Sequence, residues 1–247
     1  MSDYILFERS GAVLRLQLNR PAKKNALTSE MYGALADGLT EAAEDESVHV
    51  VLIAGVQGIF CAGNDLQSFV DPEESGEQVR RFLDQLSTCP KPLVAAVDGL
   101  AIGIGTTLLL HCDFVVAAAE VYFKMPFTEL ALVPEAASSL IVPGLLGHRV
   151  AGEILLMSEP FGAEQALGWG IVNRVVASDE LEEASLAAAS RLAELPPASV
   201  QATKKLLRAP LAEAVKETMS REFKVFGERL TTPEFAEAMN RFRSRKT

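Results

Sequence analysis

Residues 95–118 read "AAVDGLAIGIGTTLLLHCDFVVAA", an apolar strand, a glycine-rich turn, a short apolar helix and a second apolar strand. The continuous apolar runs at 92–99 and 113–119, together with "HVVLIAG" at 49–55, are typical of strands covered on both faces of a sheet. Helical patterns separate these strands. Right-handed crossovers and a mainly parallel sheet are therefore expected, and the sequence predicts an α/β fold.

The chain on either side of these strands follows other patterns. The segments "YILFER" and "AVLRLQLNR" flank a Ser10-Gly11 turn and predict an opening β-hairpin. After about residue 180 every periodic stretch has helical spacing, and prolines stand at or just before the predicted helix starts. We therefore predict a core domain over 1–180 and a C-terminal helical segment over 181–247, packed on the core or on another subunit.

Composition narrows the class of protein. The chain has 247 residues, 49% of them hydrophobic, which is enough for one large buried core. A net charge of -10 disfavours nucleic-acid binding. The three cysteines form no metal-binding spacing and suit a reducing compartment, and no apolar run is long enough to span a membrane. The sequence predicts a cytoplasmic enzyme without a metal site.

Two glycine junctions are candidate parts of an active site, "GIFCAGNDL" at 58–66 and "GLAIGIGTTL" at 99–108. Each follows a predicted buried strand, and ligands of parallel sheets bind where the strands end. The second junction lacks the third glycine of a dinucleotide-binding fingerprint, and the sequence contains no phosphate-binding G-K-[ST] loop and no G-x-S-x-G nucleophile elbow. We expect both turns to face one pocket.

Four segments in this order resemble the enoyl-CoA hydratase/isomerase, or crotonase, superfamily. They are "NRPAKKNALT" at 19–28, "FCAGNDL" at 60–66, the stretch at 95–118 and "AEQALGWGIVNRVV" at 163–176. The resemblance implies a crotonase (ClpP-like) spiral of β-β-α units around two roughly perpendicular sheets. It also implies C-terminal helices that assemble a homotrimer or a dimer of trimers.

The resemblance further implies an oxyanion hole made by the backbone N–H groups of Asn64 and Ile104, the latter at a position where the family usually has glycine. Such donors stabilise the negative charge that develops on a thioester oxygen. The substrate, an acyl-CoA thioester, is expected to need no further cofactor. By position its binding residues are Lys24, Asn25, Ala26, Ala62, Gly63, Asp65, Leu66 and Gly103, and Phe69 and Val70 are expected to line the acyl tunnel.

The position of the acid/base is the most informative difference from hydratases of this family, which use two glutamates. The matching positions here hold Thr107 and Phe127. The segment "FKMPFTELALVPEAASS" instead resembles the Δ3,Δ2-enoyl-CoA isomerases of the peroxisomal type, which act in fatty acid degradation, and places their catalytic glutamate at Glu135. One carboxylate that removes a proton from C2 and returns it to C4 is sufficient for an isomerase.

The sequence leaves two alternatives open. One is an enoyl-CoA hydratase that uses Glu129 or Glu135, and the other is a crotonase-fold acyl-CoA binding protein with little catalysis. The sequence also leaves open the direction in which the pKa of Glu135 is shifted. Apolar neighbours such as Leu132 and Val133 would raise it, whereas a helix N-terminus would lower it.

Overall fold

The computed structural model describes residues 3–56, 58–65 and 72–244. Its strands are β1 Ile5–Ser10, β2 Val13–Leu18, β3 Val50–Ala54, β4 Leu93–Val97, β5 Leu100–Ile102, β6 Phe114–Ala118, β7 Tyr122–Lys124, β8 Phe161–Gly162 and β9 Arg174–Val176. Its α-helices are α1 Ser29–Glu44, α2 Pro72–Thr88, α3 Ile104–Thr107, α4 Ser138–Leu146, α5 His148–Leu155, α6 Ala163–Gly168, α7 Leu181–Ala193, α8 Pro197–Arg208, α9 Ala212–Leu230 and α10 Pro233–Ser244.

The strands form two sheets. The larger sheet has the order β1-β2-β3-β4-β6-β9, in which β1 and β2 pair antiparallel around Gly11 and the later pairs are parallel. The predicted opening hairpin and mainly parallel sheet are both confirmed. The smaller sheet has the order β5-β7-β8, and its short strands were not predicted.

Helices cover both faces of the larger sheet. Val51 and Ile53 of β3 point into the main core, whereas Val50, Leu52 and Ala54 join the cluster that packs against α7. All five residues are buried. Because neither face of β3 meets solvent, both faces are apolar, and this explains the continuous hydrophobic runs in the sequence.

An ion pair attaches the C-terminal helices to this sheet. Lys204 of α8 is 6% exposed, and its Nζ lies 2.6 Å from Oδ2 of Asp113, the residue before β6. The same carboxylate oxygen accepts the backbone N–H of Leu93 in β4 at 2.8 Å. Asp113 therefore joins two strands to α8, which is a structural role.

The smaller sheet brings the two glycine junctions together. Cys61 forms a parallel bridge with Ala101 of β5, and Leu27 forms another with Asn64. Helix α9 contacts α4, and α10 contacts the short turn at 128–130, so both helices lie near these junctions. Within the described ranges, none of the helices is long and apolar enough to cross a membrane.

Candidate active site

The two glycine turns approach each other at backbone distance. The Cys61 N–H donates to the Leu100 carbonyl and the Ile102 N–H donates to the Cys61 carbonyl, both at 2.9 Å. A Cβ added at Gly105 would lie 2.6 Å from the Cys61 carbonyl oxygen. Only glycine fits this approach, which explains why the second turn is rich in glycine.

Two backbone N–H groups at this junction are available to a ligand. Leu27 binds both the Gly63 carbonyl and the Asp65 N–H at 2.8 Å, so the Asn64 N–H between them points to the opposite side. Ile104 is the first residue of α3, so its N–H has no acceptor within the helix. Among the described residues neither N–H meets an acceptor, and both residues line one cavity of about 680 Å³.

Isoleucine at position 104, where the family usually has glycine, is accommodated by packing. The Ile104 side chain is fully buried in the main core. The positive φ at this turn falls instead on Gly103, at 56°. The β-branched residue therefore needs no unusual backbone conformation.

The side chain of Asn64 is held by the first helix. The Tyr32 hydroxyl of α1 donates a hydrogen bond to Asn64 Oδ1. Burial, and next the negative charge of Glu135, hold the pKa of Tyr32 well above its usual value. The phenol is therefore neutral and acts as a donor.

Most of the residues predicted to bind the substrate line the 680 Å³ cavity. These are Lys24, Ala26, Ala62, Gly63, Asp65 and Gly103, joined by Ala22 and Lys23. Asp65 is fixed by Arg20, whose Nη1 lies 2.7 Å from Oδ2.

Asn25 is placed differently from its prediction. It is fully buried and does not line the cavity, because its side chain accepts the Arg20 N–H and donates to the Ile59 and Phe60 carbonyls. It supports the loop from behind. Leu66, Phe69 and Val70 lie outside the described residues.

Glu135 stands where two cavities meet. It lines the 680 Å³ cavity and also a smaller one of about 140 Å³. The side chain is 8% exposed, and its Oε1 has no hydrogen-bond partner in the described part of the chain. Burial, and next the charge of Glu222, raise the pKa of Glu135 to about 8. The direction that the sequence left open is therefore upward.

The smaller cavity is mostly apolar. Helices α1, α2 and α9 enclose it, and its apolar side chains are Val79, Leu83, Met219, Phe223, Phe226 and Leu230. Asn64, Glu135 and Phe226 line both cavities. A ligand that fills both would pass beside the Glu135 carboxyl group and the Asn64 turn.

The segment after Glu135 is held on two sides. Ala136 and Ala137 both have φ of 56°, a left-handed conformation that is costly for alanine. Glu222 Oε2 accepts the Ala137 N–H at 2.7 Å, and Oε1 accepts the Ser139 N–H at 2.9 Å. On the other side, His111 Nε2 lies 2.8 Å from the Ala136 carbonyl.

The other candidate acid/base positions are unsuitable. Thr107 is fully buried, Phe127 lines the larger cavity as a hydrophobic side chain, and Glu129 forms a 2.8 Å ion pair with Lys124 without lining either cavity. Among the described carboxylates of the two cavity walls, Asp65 pairs with Arg20 and Glu222 accepts hydrogen bonds from the backbone. Glu135 has the carboxylate oxygen that is left for chemistry.

Sequence reasoning missed Tyr32, His111 and Glu222 as parts of the site. Tyr32 lies next to Met31 on the apolar face of α1 and reads as a core residue, and Glu222 reads as one of many helix acids. His111 is one of three histidines that form no metal-binding spacing. No local pattern marks these residues, because each acts on a segment distant in sequence. The described residues contain no group of three His, Cys, Asp or Glu side chains suited to a metal ion.

Comparison with known proteins gives consistent matches. The family model described as Enoyl-CoA hydratase/isomerase matches residues 8–247. The crystal structure of an enoyl-CoA hydratase/isomerase from Pseudoalteromonas atlantica T6c is 41% identical with a TM-score of 0.95, and 98% of each chain is covered. The predicted crotonase fold with C-terminal helices is thereby confirmed.

The similar curated proteins have different activities in their names. The 1,2-epoxyphenylacetyl-CoA isomerase of Escherichia coli K12 is 35% identical over 205 residues, which cover 79% of this chain and 78% of that protein. The enoyl-CoA delta isomerase 2 of Rattus norvegicus is 32% identical over 253 residues, which cover 99% of this chain and 64% of that protein.

Proposed function

The chain belongs to the enoyl-CoA hydratase/isomerase family, and we propose that it converts 3-enoyl-CoA to 2-enoyl-CoA with Glu135 as the proton carrier. The observation that carries this proposal is the Glu135 carboxylate oxygen at the junction of the two cavities, which has no hydrogen-bond partner among the described residues. A 1,3-proton shift needs one carboxylate that reaches both carbons, and a hydration by the usual mechanism needs two.

In the proposed reaction the ionised Glu135 removes a proton from C2 of the substrate. The C–H electron pair forms a C1–C2 double bond, and negative charge moves to the thioester oxygen. Asn64 N–H and Ile104 N–H stabilise this dienolate, and loss of one such donor typically costs about 3 kcal/mol of barrier. Glu135 then donates the same proton to C4: the C3–C4 π pair forms the new C4–H bond, the C1–C2 π pair becomes the C2–C3 double bond, and the thioester carbonyl re-forms.

The two cavities fit the two ends of this substrate. The larger one, with backbone loops and Lys23 and Lys24 on its wall, suits the polar CoA part, and the smaller apolar one suits the acyl chain. The thioester would then lie between them, next to Glu135 and Asn64. The low exposure of Glu135 keeps water from the dienolate, which favours proton return over side reactions.

The proposal is tested with 3-hexenoyl-CoA, by following the absorbance of the conjugated 2-enoyl thioester. We expect turnover by the native protein and a loss of at least about 100-fold in Glu135→Gln, the usual contribution of a general acid/base. Glu129→Gln is the matched control, because the same chemical change is made on an exposed, ion-paired carboxylate that lines neither cavity. Equal activity of Glu135→Gln and the native protein would contradict the proposal.

The same panel separates the alternatives. Turnover of crotonyl-CoA by hydration, lost in Glu129→Gln or in Glu135→Gln, would favour the hydratase. Tight binding of acyl-CoA without conversion of either substrate would favour the binding protein.

Assembly into a homotrimer, or a dimer of trimers, is part of the proposal. It is supported by apolar side chains that the single chain leaves exposed, including Leu206 at 74% and Leu207 at 77% on α8. Sedimentation equilibrium should give the mass of three or six chains of 26.6 kDa each. A monomer at micromolar concentration would contradict it. The cytoplasmic location stays a prediction.

A further inference from the structure

One peptide unit beside Glu135 is bound at both of its polar ends. The Ala136 carbonyl and the Ala137 N–H belong to the same peptide bond. His111 lies 2.8 Å from that carbonyl oxygen, and Glu222 accepts that N–H at 2.7 Å. The Ala136–Ala137 peptide is the second peptide unit after Glu135, so its orientation constrains the backbone from which the Glu135 side chain starts.

We propose that Glu222 and His111 are positioning residues, which grip the Ala136–Ala137 peptide from opposite sides and thereby fix the orientation and the charge surroundings of Glu135. The inference rests on the proposed role of Glu135 as the proton carrier. Neither residue contacts the reacting atoms in this proposal, and both act through the peptide.

The left-handed backbone of Ala136 and Ala137 explains why hydrogen bonds on both sides of this peptide are needed. Two successive alanines at φ of 56° are unfavourable by about 1–2 kcal/mol each, and this conformation persists only where the surroundings enforce it. Glu222 supplies three interactions, to the Ala137 N–H, the Ser139 N–H and the Ser139 hydroxyl at 2.5 Å. Hydrogen bonds to a charged acceptor are stronger than neutral ones.

The hydrogen bonds also define the protonation of both gripping residues. A carbonyl oxygen can only accept, so His111 Nε2 carries a proton, and burial lowers the pKa of His111 to about 4, which keeps the ring neutral. Glu222 meets a donor at each carboxylate oxygen, so its ionised form satisfies all of these bonds.

Glu222 is therefore the negative charge that faces Glu135. Among the described residues, Tyr32 of α1 and Cys61 of the first glycine turn also interact electrostatically with Glu135, and both are neutral because burial raises the pKa of Tyr32 well above its usual value and that of Cys61 to about 12. Burial raises the pKa of Glu222, and the hydrogen bonds from Ser139 and Ala137, and least the charge of Arg221 beside it on α9, partly offset this effect. A like charge makes the Glu135 carboxylate a stronger base.

The experiment compares full-length variants that differ at one end of the grip. Glu222→Gln removes the charge but keeps one acceptor, His111→Leu removes the donor, and His111→Gln keeps an N–H near the position of Nε2. Glu217→Gln, an exposed acid on the same helix, is the control. The pKa of Glu135 is measured by NMR titration of ¹³C-labelled glutamate carboxyls, with the signal assigned by Glu135→Gln. The kcat and KM for 3-hexenoyl-CoA are measured over pH.

We expect Glu222→Gln to lower the pKa of Glu135 and to reduce kcat by roughly tenfold or more with little change in KM, the loss typical of a misplaced catalytic group. His111→Leu should reduce kcat without lowering the pKa of Glu135, and His111→Gln should restore most of the rate. Glu217→Gln should match the native protein. A role in stability alone would change unfolding but would leave the pH profile and the Glu135 titration unchanged.

Three results would overturn the inference. They are a folded Glu222→Gln variant in which Glu135 titrates as in the native protein, a lowered pKa with an unchanged kcat, and equal rates for His111→Leu and the native protein. If Glu222→Gln does not fold, the two His111 variants still show whether contacts to the Ala136–Ala137 peptide affect catalysis. If the native protein has no isomerase activity, the proposed function fails, and the NMR titration still decides whether Glu222 acts on Glu135.

Discussion

The Tyr32 hydroxyl of α1 donates a hydrogen bond to the side-chain oxygen of Asn64, the residue whose backbone N–H is one of the two proposed oxyanion donors. The bond spans 32 residues of sequence and joins the first helix to the first glycine turn. The bond involves the side chain of Asn64, whereas the backbone N–H of Asn64 has no acceptor among the described residues.

Removal of this hydroxyl should weaken catalysis more than folding. In Tyr32→Phe the Asn64 amide oxygen loses its donor, a change that costs about 1–3 kcal/mol when the group is buried. We expect kcat for 3-hexenoyl-CoA to fall roughly tenfold, since a shifted turn misplaces the donor. Tyr122→Phe is the control, because Tyr122 is exposed. Unchanged kinetics in Tyr32→Phe would show that the Tyr32–Asn64 hydrogen bond does not contribute to catalysis.

The activity of the native protein should increase with pH. Glu135 acts as a base only when it is deprotonated, and burial together with the charge of Glu222 raises its pKa to about 8. We therefore expect kcat/KM to rise through about pH 8 and then to level off, measured with 3-hexenoyl-CoA in buffers of equal ionic strength. A profile that is already flat from pH 6 would show that Glu135 ionises at its ordinary pKa.

Replacement of Glu135 should change how stability depends on pH. The folded state holds the Glu135 proton up to about pH 8, whereas the unfolded chain releases it near 4.5, so the native protein loses stability as pH rises between these values. Glu135→Gln has no such proton. Its stability relative to the native protein should therefore grow by a few kcal/mol from pH 5 to pH 9, measured by urea unfolding. If the unfolding free energies of the two proteins change with pH in parallel, the pKa of Glu135 is not raised in the folded state.

The close approach of the two glycine turns predicts that Gly105 does not tolerate a side chain. In Gly105→Ala the new methyl group would lie 2.6 Å from the Cys61 carbonyl oxygen, which the Ile102 N–H already holds in place. We expect a loss of about 1–3 kcal/mol in unfolding free energy together with lower activity. Gly144→Ala on α4, where nothing lies within 4 Å, should be neutral or slightly stabilising. Equal unfolding of both variants would refute the argument.

Strands β3, β4 and β6 of the larger sheet could be predicted from the sequence because they have continuous apolar runs and α7 covers their second face. The smaller sheet could not. Strands of two or three residues, such as β8 Phe161–Gly162, are too short for a periodic signal, and their pairing partners lie far away in the chain. Tertiary contacts alone determine them.

The candidate site divides in the same way. The glycine turns and Glu135 were identified because each lies in a recognisable local motif, whereas Glu222 was not, because an acid in an amphipathic helix has no distinguishing neighbours. Asn25 shows that the position of a residue in a family motif does not determine where its side chain points. It belongs to the predicted loop, but its side chain points into the protein and holds the loop together.

The hydrogen bond from Ala137 to Glu222 spans 85 residues and has a consequence for biosynthesis. A ribosome delivers the glycine turns and Glu135 long before α9, and until that helix docks, the Ala137 N–H lacks its acceptor and only the His111 contact can hold the two left-handed alanines against their intrinsic preference. We therefore expect the segment after Glu135 to become ordered only after α9 has left the ribosome. On the proposed function, the active site is then completed by one of the last helices to be synthesised.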